Sequence, residues 1–186
     1  SLADTRAFLD ANDLIISSGV ISLDYDKRKS SRQKKIADQG FPSDLATYKR
    51  ADELSAACGL PVKSGGLLFE TGAVIQPRQL SGQLAEGVER IYGAQLHAIS
   101  GEEGAWIAHC IDGRTFMADH VVLCSGADFP ELLETIGYDL GVYQVTSGQL
   151  SILPKTTELA ALQIALNYSG YTTPLIEGQQ YLGCLL

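Results

Sequence analysis

The residues with the most chemical promise form one run, Ala118-Asp119-His120-Val121-Val122-Leu123-Cys124-Ser125-Gly126-Ala127. Positions 120–124 are almost continuously apolar, as expected of a strand buried on both faces. Ser125-Gly126 then brings bare backbone to the carboxyl edge of a sheet, where α/β proteins bind nucleotides. Glycine at that point removes the Cβ that would collide with a ligand and admits unusual φ values. A tight strand-to-helix turn accounts for the same two residues equally well. The three histidines, His97, His109 and His120, fall on predicted strands without metal-ligand spacing and read as structural or half-exposed. Cys58, Cys110, Cys124 and Cys184 are widely spaced with no Cys-x-x-Cys pair, which points to buried free thiols in a reducing cytoplasm rather than a metal or dithiol site. No nucleophile elbow, phosphate loop or His-Glu-x-x-His occurs. Gly-x-Gly-x-x-Gly is also missing, since Gly65-Gly66 precedes a strand instead of joining a strand to a helix.

The elements that must position these residues belong to a chain of 186 residues, 45% hydrophobic and 19% charged, a balance that supports a real core and excludes a disordered chain. Nowhere do roughly 18 apolar residues run together, so no membrane span is expected. A formal charge of −8 argues against a surface that binds nucleic acid throughout. The charge is uneven, however: Lys27, Arg28, Lys29, Arg32, Lys34 and Lys35 supply six of the 14 basic residues. That stretch reads as a solvated helix face or as a local patch that touches RNA.

Apolar spacing predicts helices over 4–13, 27–38, 43–48, 50–58, 129–136 and 156–162, and another that Pro77 opens and that runs to about 90. Strands are predicted over 19–24, 66–70, 73–75, 94–99, 105–111, 114–117, 120–124, 142–153, 164–168, 171–173 and 181–185, with Asp112-Gly113 as a hairpin turn. The result is a mixed α/β (α+β) architecture dominated by an antiparallel or mixed sheet.

The order of these pieces resembles the glycine-oxidase and D-amino-acid-oxidase (DAO) family of FAD enzymes: a strand, Thr71-Gly72-Ala73, a second strand, a Pro77-started helix, hairpin strands, then the apolar run to Gly126. A narrower likeness lies further on. Gly148-Gln149, Pro154 followed by Thr156-Thr157-Glu158-Leu159, and Tyr168-Ser169-Gly170-Tyr171-Thr172-Thr173-Pro174 come in one order. That succession resembles the FAD-dependent C-terminal domains of bifunctional tRNA 5-methylaminomethyl-2-thiouridine biosynthesis proteins. The chain departs from the family pattern at Gly72-Ala73-Val74, where two glycines and a tryptophan are usual, and at Ser147, where a basic residue is common.

The resemblance implies a central, largely antiparallel substrate-domain sheet with flanking helices, from about 19–75 and 141–186, and part of an FAD-binding α/β domain over 77–136. It implies that the glycine turn gripping the dinucleotide, the final flavin segment and the arginine that pairs with the substrate carboxylate lie outside residues 1–186. It implies oxidative removal of a carboxymethyl group from a modified wobble uridine of tRNA, with FAD as cofactor and tRNA as partner of the parent protein. A glycine- or sarcosine-type amino-acid oxidase is the alternative, and a non-catalytic binding domain is the third reading for the chain alone. On the same ground Tyr171, with Tyr168 and Gln149 behind it, is expected at the substrate, a small amine or an N-carboxymethyl group. Leu96 is expected on the adenine side of FAD, and Cys124, Ser125 and Gly126 against its diphosphate or ribityl chain. The basic stretch is expected to help dock tRNA.

Overall fold

A helix that buries a glutamine rather than a leucine organises the amino-terminal half of this protein. The computed structural model describes residues 2–43, 45–102, 104–139, 141, 143–144 and 146–185. They form two compact units, Ser1–Glu86 with Ser147–Leu186, and Gly87–Thr146.

The first unit is a seven-stranded sheet with helices α1 (Leu2–Ala11), α2 (Lys27–Ala37), α3 (Ala51–Cys58) and α4 (Pro77–Leu84). Its strands are β1 (Ile15–Leu23), β2 (Thr47–Lys49), β3 (Gly66–Ile75), β7 (Gly148–Pro154), β8 (Ala165–Asn167), β9 (Gly170–Thr172) and β10 (Gln179–Leu185), in the order β2-β3-β1-β8-β9-β10-β7. Every neighbouring pair is antiparallel except β1 and β8, which run parallel. The fold is thus the mixed, largely antiparallel α/β arrangement expected.

Strand alternation assigns the two faces. Ile21, Leu68 and Leu166 stand in register on one face and are buried together with Leu54 and Cys58 of α3 and with Leu162. Ser22, Leu67 and Asn167 stand in register on the other. There α2 packs through Gln33, which is almost fully buried. Its amide donates to Ser22 Oγ at 3.0 Å and its carbonyl accepts from the Leu67 N–H at 3.0 Å, so no polar atom of that side chain is orphaned. The helix starts at Asp26, whose carboxylate accepts the Lys29 N–H at 2.7 Å.

Beside it, Tyr48 of β2 donates its hydroxyl to Asp24 Oδ2 at 2.8 Å. Burial, then the hydrogen bond to Asp24 and its negative charge, push the Tyr48 phenol above its ordinary value. The second unit is an antiparallel meander, β4 (Leu96–Glu102), β5 (Ala105–Cys110) and β6 (Thr115–Ala118), followed by a 3-10 turn and α5 (Phe129–Glu134). Arg114 grips Asp112 across the hairpin turn and holds that carboxyl below the usual range.

Several expectations need correction. Where a helix is predicted over 43–48, residues 47 and 48 instead begin strand β2, because Thr47 and Tyr48 pair with Leu68 and Leu67 and a β-branched residue and an aromatic suit that pleat, while residue 44 lies outside the described set. The helix predicted over 156–162 is a set of turns that inserts Leu162 into the core. Helix α4 stops at Leu84, short of 90, and Gly87 takes a left-handed φ of 75° soon after. The apolar run 120–124 is in no strand, and its Val122 is 85% exposed. A strand of this kind is buried by pairing inside a covered sheet, and among the described residues no strand of the three-stranded sheet pairs with it. Only Cys58 and Cys110 are buried; Cys124 and Cys184 are exposed. The strand predicted from 142 is described as strand from Gly148, while residues 142 and 145 lie outside the described set.

Two outcomes test this account. Replacing Gln33→Leu leaves the Leu67 N–H without its partner and should cost about 1–3 kcal/mol in urea unfolding. For Tyr48 the folded value lies above that of the unfolded chain, so its stabilising contribution is complete below pH ~10 and is lost as pH rises through the folded value. Ultraviolet titration at alkaline pH should show one late phenol that Tyr48→Phe removes.

Candidate functional site

The half of the sheet that α2 leaves uncovered carries a continuous row of side chains. Asn167 of β8 pairs with Tyr171 of β9, Tyr171 with Gly183 of β10, and Gly183 with Leu150 of β7. All four lie on the face shared with Ser22. The turn between β8 and β9 sets the first pairing, because only three residues separate Asn167 from Tyr171 in a tight antiparallel reversal. Gly183 serves as the floor. A Cβ there would drive into the Tyr171 ring, so the absence of a side chain lets the phenol lie across β10.

Tyr171 is 44% exposed. Asn167 is exposed as well, and among the described residues neither the Tyr171 hydroxyl nor the Asn167 amide makes a hydrogen bond. Two recesses flank this row. One, of about 500 Å³, is lined by Gln149, Leu150, Asn167, Tyr168, Tyr171 and Cys184, among others. The other, of about 590 Å³, shares Leu150, Asn167 and Tyr171 and adds the end of β3 and the start of α4, including Arg78. Val20, Ala165, Thr173 and Tyr181 line it from the same sheet face. These volumes suit a small ligand. The site can offer a phenol donor, an amide and, at the rim, a guanidinium, a set suited to a carboxylate on an otherwise apolar floor.

The substrate residues expected from sequence all line the first recess but do not share one face of the sheet. Tyr171 and Gln149 present free polar ends. Tyr168 packs against the core cluster, and its hydroxyl is within 2.8 Å of Thr172 Oγ1, so it contributes wall rather than a free donor. Register puts Gln149 with Cys184 and Gly170, on the face opposite Tyr171, and Gln149 sits on the edge strand. Asn167 and Arg78 were missed. Asn167 could have been found from its offset of four residues from Tyr171 across a glycine-containing turn; Arg78 carried no signal beyond following Pro77 in a helix start.

The residues expected at a cofactor all fall in the second unit. Gly126 takes a φ of 62° where the 3-10 turn begins, and nothing lies within 4 Å of the place a Cβ would occupy. It opens onto a recess of about 360 Å³ with Phe129, Pro130, Tyr143, Gln144 and Thr146. Cys124 and Ser125 precede it and are exposed. Leu96 opens β4 opposite Cys110, half-buried.

The protein-family model for FAD dependent oxidoreductases (DAO) matches residues 4–183. The chain belongs to that family. Among curated relatives, the tRNA 5-methylaminomethyl-2-thiouridine biosynthesis bifunctional proteins MnmC of Aeromonas hydrophila and Aeromonas salmonicida are each 28% identical over 171 residues. The match takes in 89% of this chain and 25% of each of theirs, so the chain spans about a quarter of the length of those relatives. In fold it is similar to glycine oxidase from Bacillus cereus, with a TM-score of 0.76 at 14% identity over 99% of this chain and 56% of that one. It is also similar to FAD-bound L-α-glycerophosphate oxidase from Mycoplasma pneumoniae, with a TM-score of 0.72 at 15% identity over all of this chain and 55% of that one. No helix among the described residues is long and apolar enough to cross a membrane.

Substituting Gly183→Ala should push the Tyr171 ring out of its place at a cost of about 1–3 kcal/mol. Thermal unfolding measures the cost, and the Tyr171 ring signals in NMR report the displacement. Unchanged ring signals would contradict the floor described for Gly183.

Proposed function

We propose that this chain forms the substrate-facing part of a cytoplasmic FAD-dependent amine oxidase that removes a carboxymethyl group from a modified wobble uridine of tRNA. The observation that carries this reading is the row Asn167–Tyr171–Gly183–Leu150, an uncovered sheet face with a free phenol over an apolar floor. The names of the Aeromonas relatives support the choice of tRNA.

The described residues fit part of FAD. The left-handed backbone and open space at Gly126 admit a ligand chain, and Cys124, Ser125 and Gly126 would hold its diphosphate or ribityl portion. Leu96 would meet the adenine side. No Gly-x-Gly-x-x-Gly turn occurs in residues 1–186, so these residues do not themselves offer a pyrophosphate the backbone amides of such a turn at a helix N-terminus. FAD, when bound, supplies the two-electron acceptor for the methylene carbon of the carboxymethyl group.

The chain's own residues then position the substrate. Tyr171 donates its hydroxyl to the carboxylate, Asn167 offers its amide beside it, and Arg78 supplies positive charge at the rim. Leu150, Val20 and Ala165 exclude water from the methylene side. Once that carbon is oxidised, water adds to it and the carbon–nitrogen bond breaks. Glyoxylate leaves with the water's oxygen, and the primary amine stays on the uridine.

The same row suits the carboxylate of a free amino acid, and the likeness in fold to glycine oxidase keeps glycine or sarcosine as a second reading. Assay of the FAD-loaded parent on undermodified tRNA and on glycine separates the two: turnover of tRNA with release of glyoxylate is expected, and turnover of glycine alone would overturn the first reading. In the same enzyme Tyr171→Phe removes a hydrogen bond to a charged group, worth about 1.5–3 kcal/mol, and should lower kcat/KM by about 10–100-fold. The purified 186-residue chain should elute colourless after incubation with FAD; stoichiometric flavin absorbance would refute the division of the cofactor site.

A further inference from the structure

Helix α2 carries more positive charge than its own fold pairs: Lys34 lies 5.7 Å from the Tyr48 ring centre and Lys29 is over Tyr25, while Arg28, Arg32 and Lys35 are exposed. Its six cations stand against a chain of net charge −8, so the remaining eight basic and 22 acidic residues leave the rest of the molecule at −14. None of the six makes an ion pair among the described residues. Solvated helices usually alternate sign at i,i+4, which helps them form; here Arg28 faces Arg32 at that spacing and Arg32 faces Lys35 at i,i+3. Local folding therefore works against this pattern, and an anionic partner would relieve it.

The helix is also held in one orientation. Gln33 hydrogen-bonds Ser22 and Leu67, which directs the Arg28–Arg32–Lys35 stripe away from the sheet. Seven residues of helix rise span ~10 Å, enough for two or three successive phosphates. Arg28 and Arg32 line a recess of about 290 Å³ with Tyr25, Asp26 and Lys29. Tyr25 is 52% exposed, with the Lys29 ammonium 5.8 Å from its ring centre. The one carboxylate in that recess, Asp26, is engaged by the Lys29 N–H as the helix cap. Finally, α2 stands on the same sheet face as the candidate site. Gln33 contacts Ser22, Ser22 pairs with Asn167, and Asn167 pairs with Tyr171, which places Tyr171 two strands, ~10 Å, from the point where the helix is anchored.

We infer that the Arg28–Arg32–Lys35 stripe of α2, with Tyr25, binds the phosphate backbone of RNA next to the nucleotide presented to Tyr171. This rests on the reading of tRNA as substrate, but its test does not involve flavin or turnover. Binding of a fluorescein-labelled, unmodified 17-nucleotide RNA stem-loop to the 186-residue chain is followed by anisotropy between 50 and 200 mM KCl, with circular dichroism as the check on folding. Arg28→Gln/Arg32→Gln/Lys35→Gln keeps the helix and removes the charge; Arg28→Glu/Arg32→Glu/Lys35→Glu reverses it.

The neutral variant should bind about tenfold or more weakly, with a log–log salt slope shallower by roughly 2–3, one increment of about 0.7–0.9 per lost phosphate contact. The reversed variant should bind more weakly still. Wild-type affinity and slope in the folded neutral variant would overturn the proposal, as would failure of the wild-type chain to bind the stem-loop at 50 mM KCl. Binding to vesicles of phosphatidylserine and phosphatidylcholine in place of RNA would overturn it in favour of a membrane surface. Loss of RNA binding in the variants alongside turnover of glycine alone in the parent would sink the substrate reading and leave the docking surface standing.

Discussion

Three parallel residue pairs, Val20 with Ala165, Ile21 with Leu166 and Ser22 with Asn167, join the beginning of this chain to its end. Without them β8, β9, β10 and β7 would form a separate antiparallel group, and Tyr171 would have no defined relation to α2 or to the end of β3. Parallel pairing is slightly less stable per residue than antiparallel pairing and gains nothing from a short turn. It holds here because Ile21, Leu68 and Leu166 are sealed on one face by Leu54, Cys58 and Leu162, each fully buried aliphatic side chain contributing about 1.5–3 kcal/mol.

The same seam explains how the sheet can keep one face open. One face is closed by the apolar cluster under α3. The other is closed by α2 over β2, β3 and β1, where a buried polar side chain, Gln33, takes the place an aliphatic residue would normally fill. That choice costs some apolar burial but fixes the helix by direction as well as by contact, since hydrogen bonds to Ser22 and Leu67 admit one orientation. Beyond β1 the face stays free for Asn167, Tyr171 and Leu150. Support and site thus share strands, and the dry side of the sheet stabilises the arrangement that the polar side uses.

The second unit shows the opposite economy. Its meander pairs three short strands, yet Val122, Met117 and Ile111 remain exposed. Val122 belongs to a run whose composition anticipates neighbours on both sides, and the described residues supply none. The left-handed backbone at Gly126 and the recess beside it are therefore the structured part of a region whose apolar surface is still open.

Sequence alone determined the elements that local chemistry specifies. Asp26 and the 27–35 run made α2, Pro77 started α4, Asp112-Gly113 turned the hairpin, and the order of glycine, proline and tyrosine motifs was enough to indicate the oxidase family. Tyr171 was legible as a candidate through that order. Tertiary structure decided the rest, because pairing partners far apart in the chain decide which face a residue occupies. Thr47 and Tyr48 became strand through Leu68 and Leu67; the 120–124 run lost its strand for want of neighbours. Tyr168 and Gln149 were set apart from Tyr171 by the alternation of the pleat, and Asn167 joined it through a register no local pattern records. A one-residue shift in any of these pairings would exchange the two faces, which is why the row on which the proposed chemistry stands could not be read from composition or spacing.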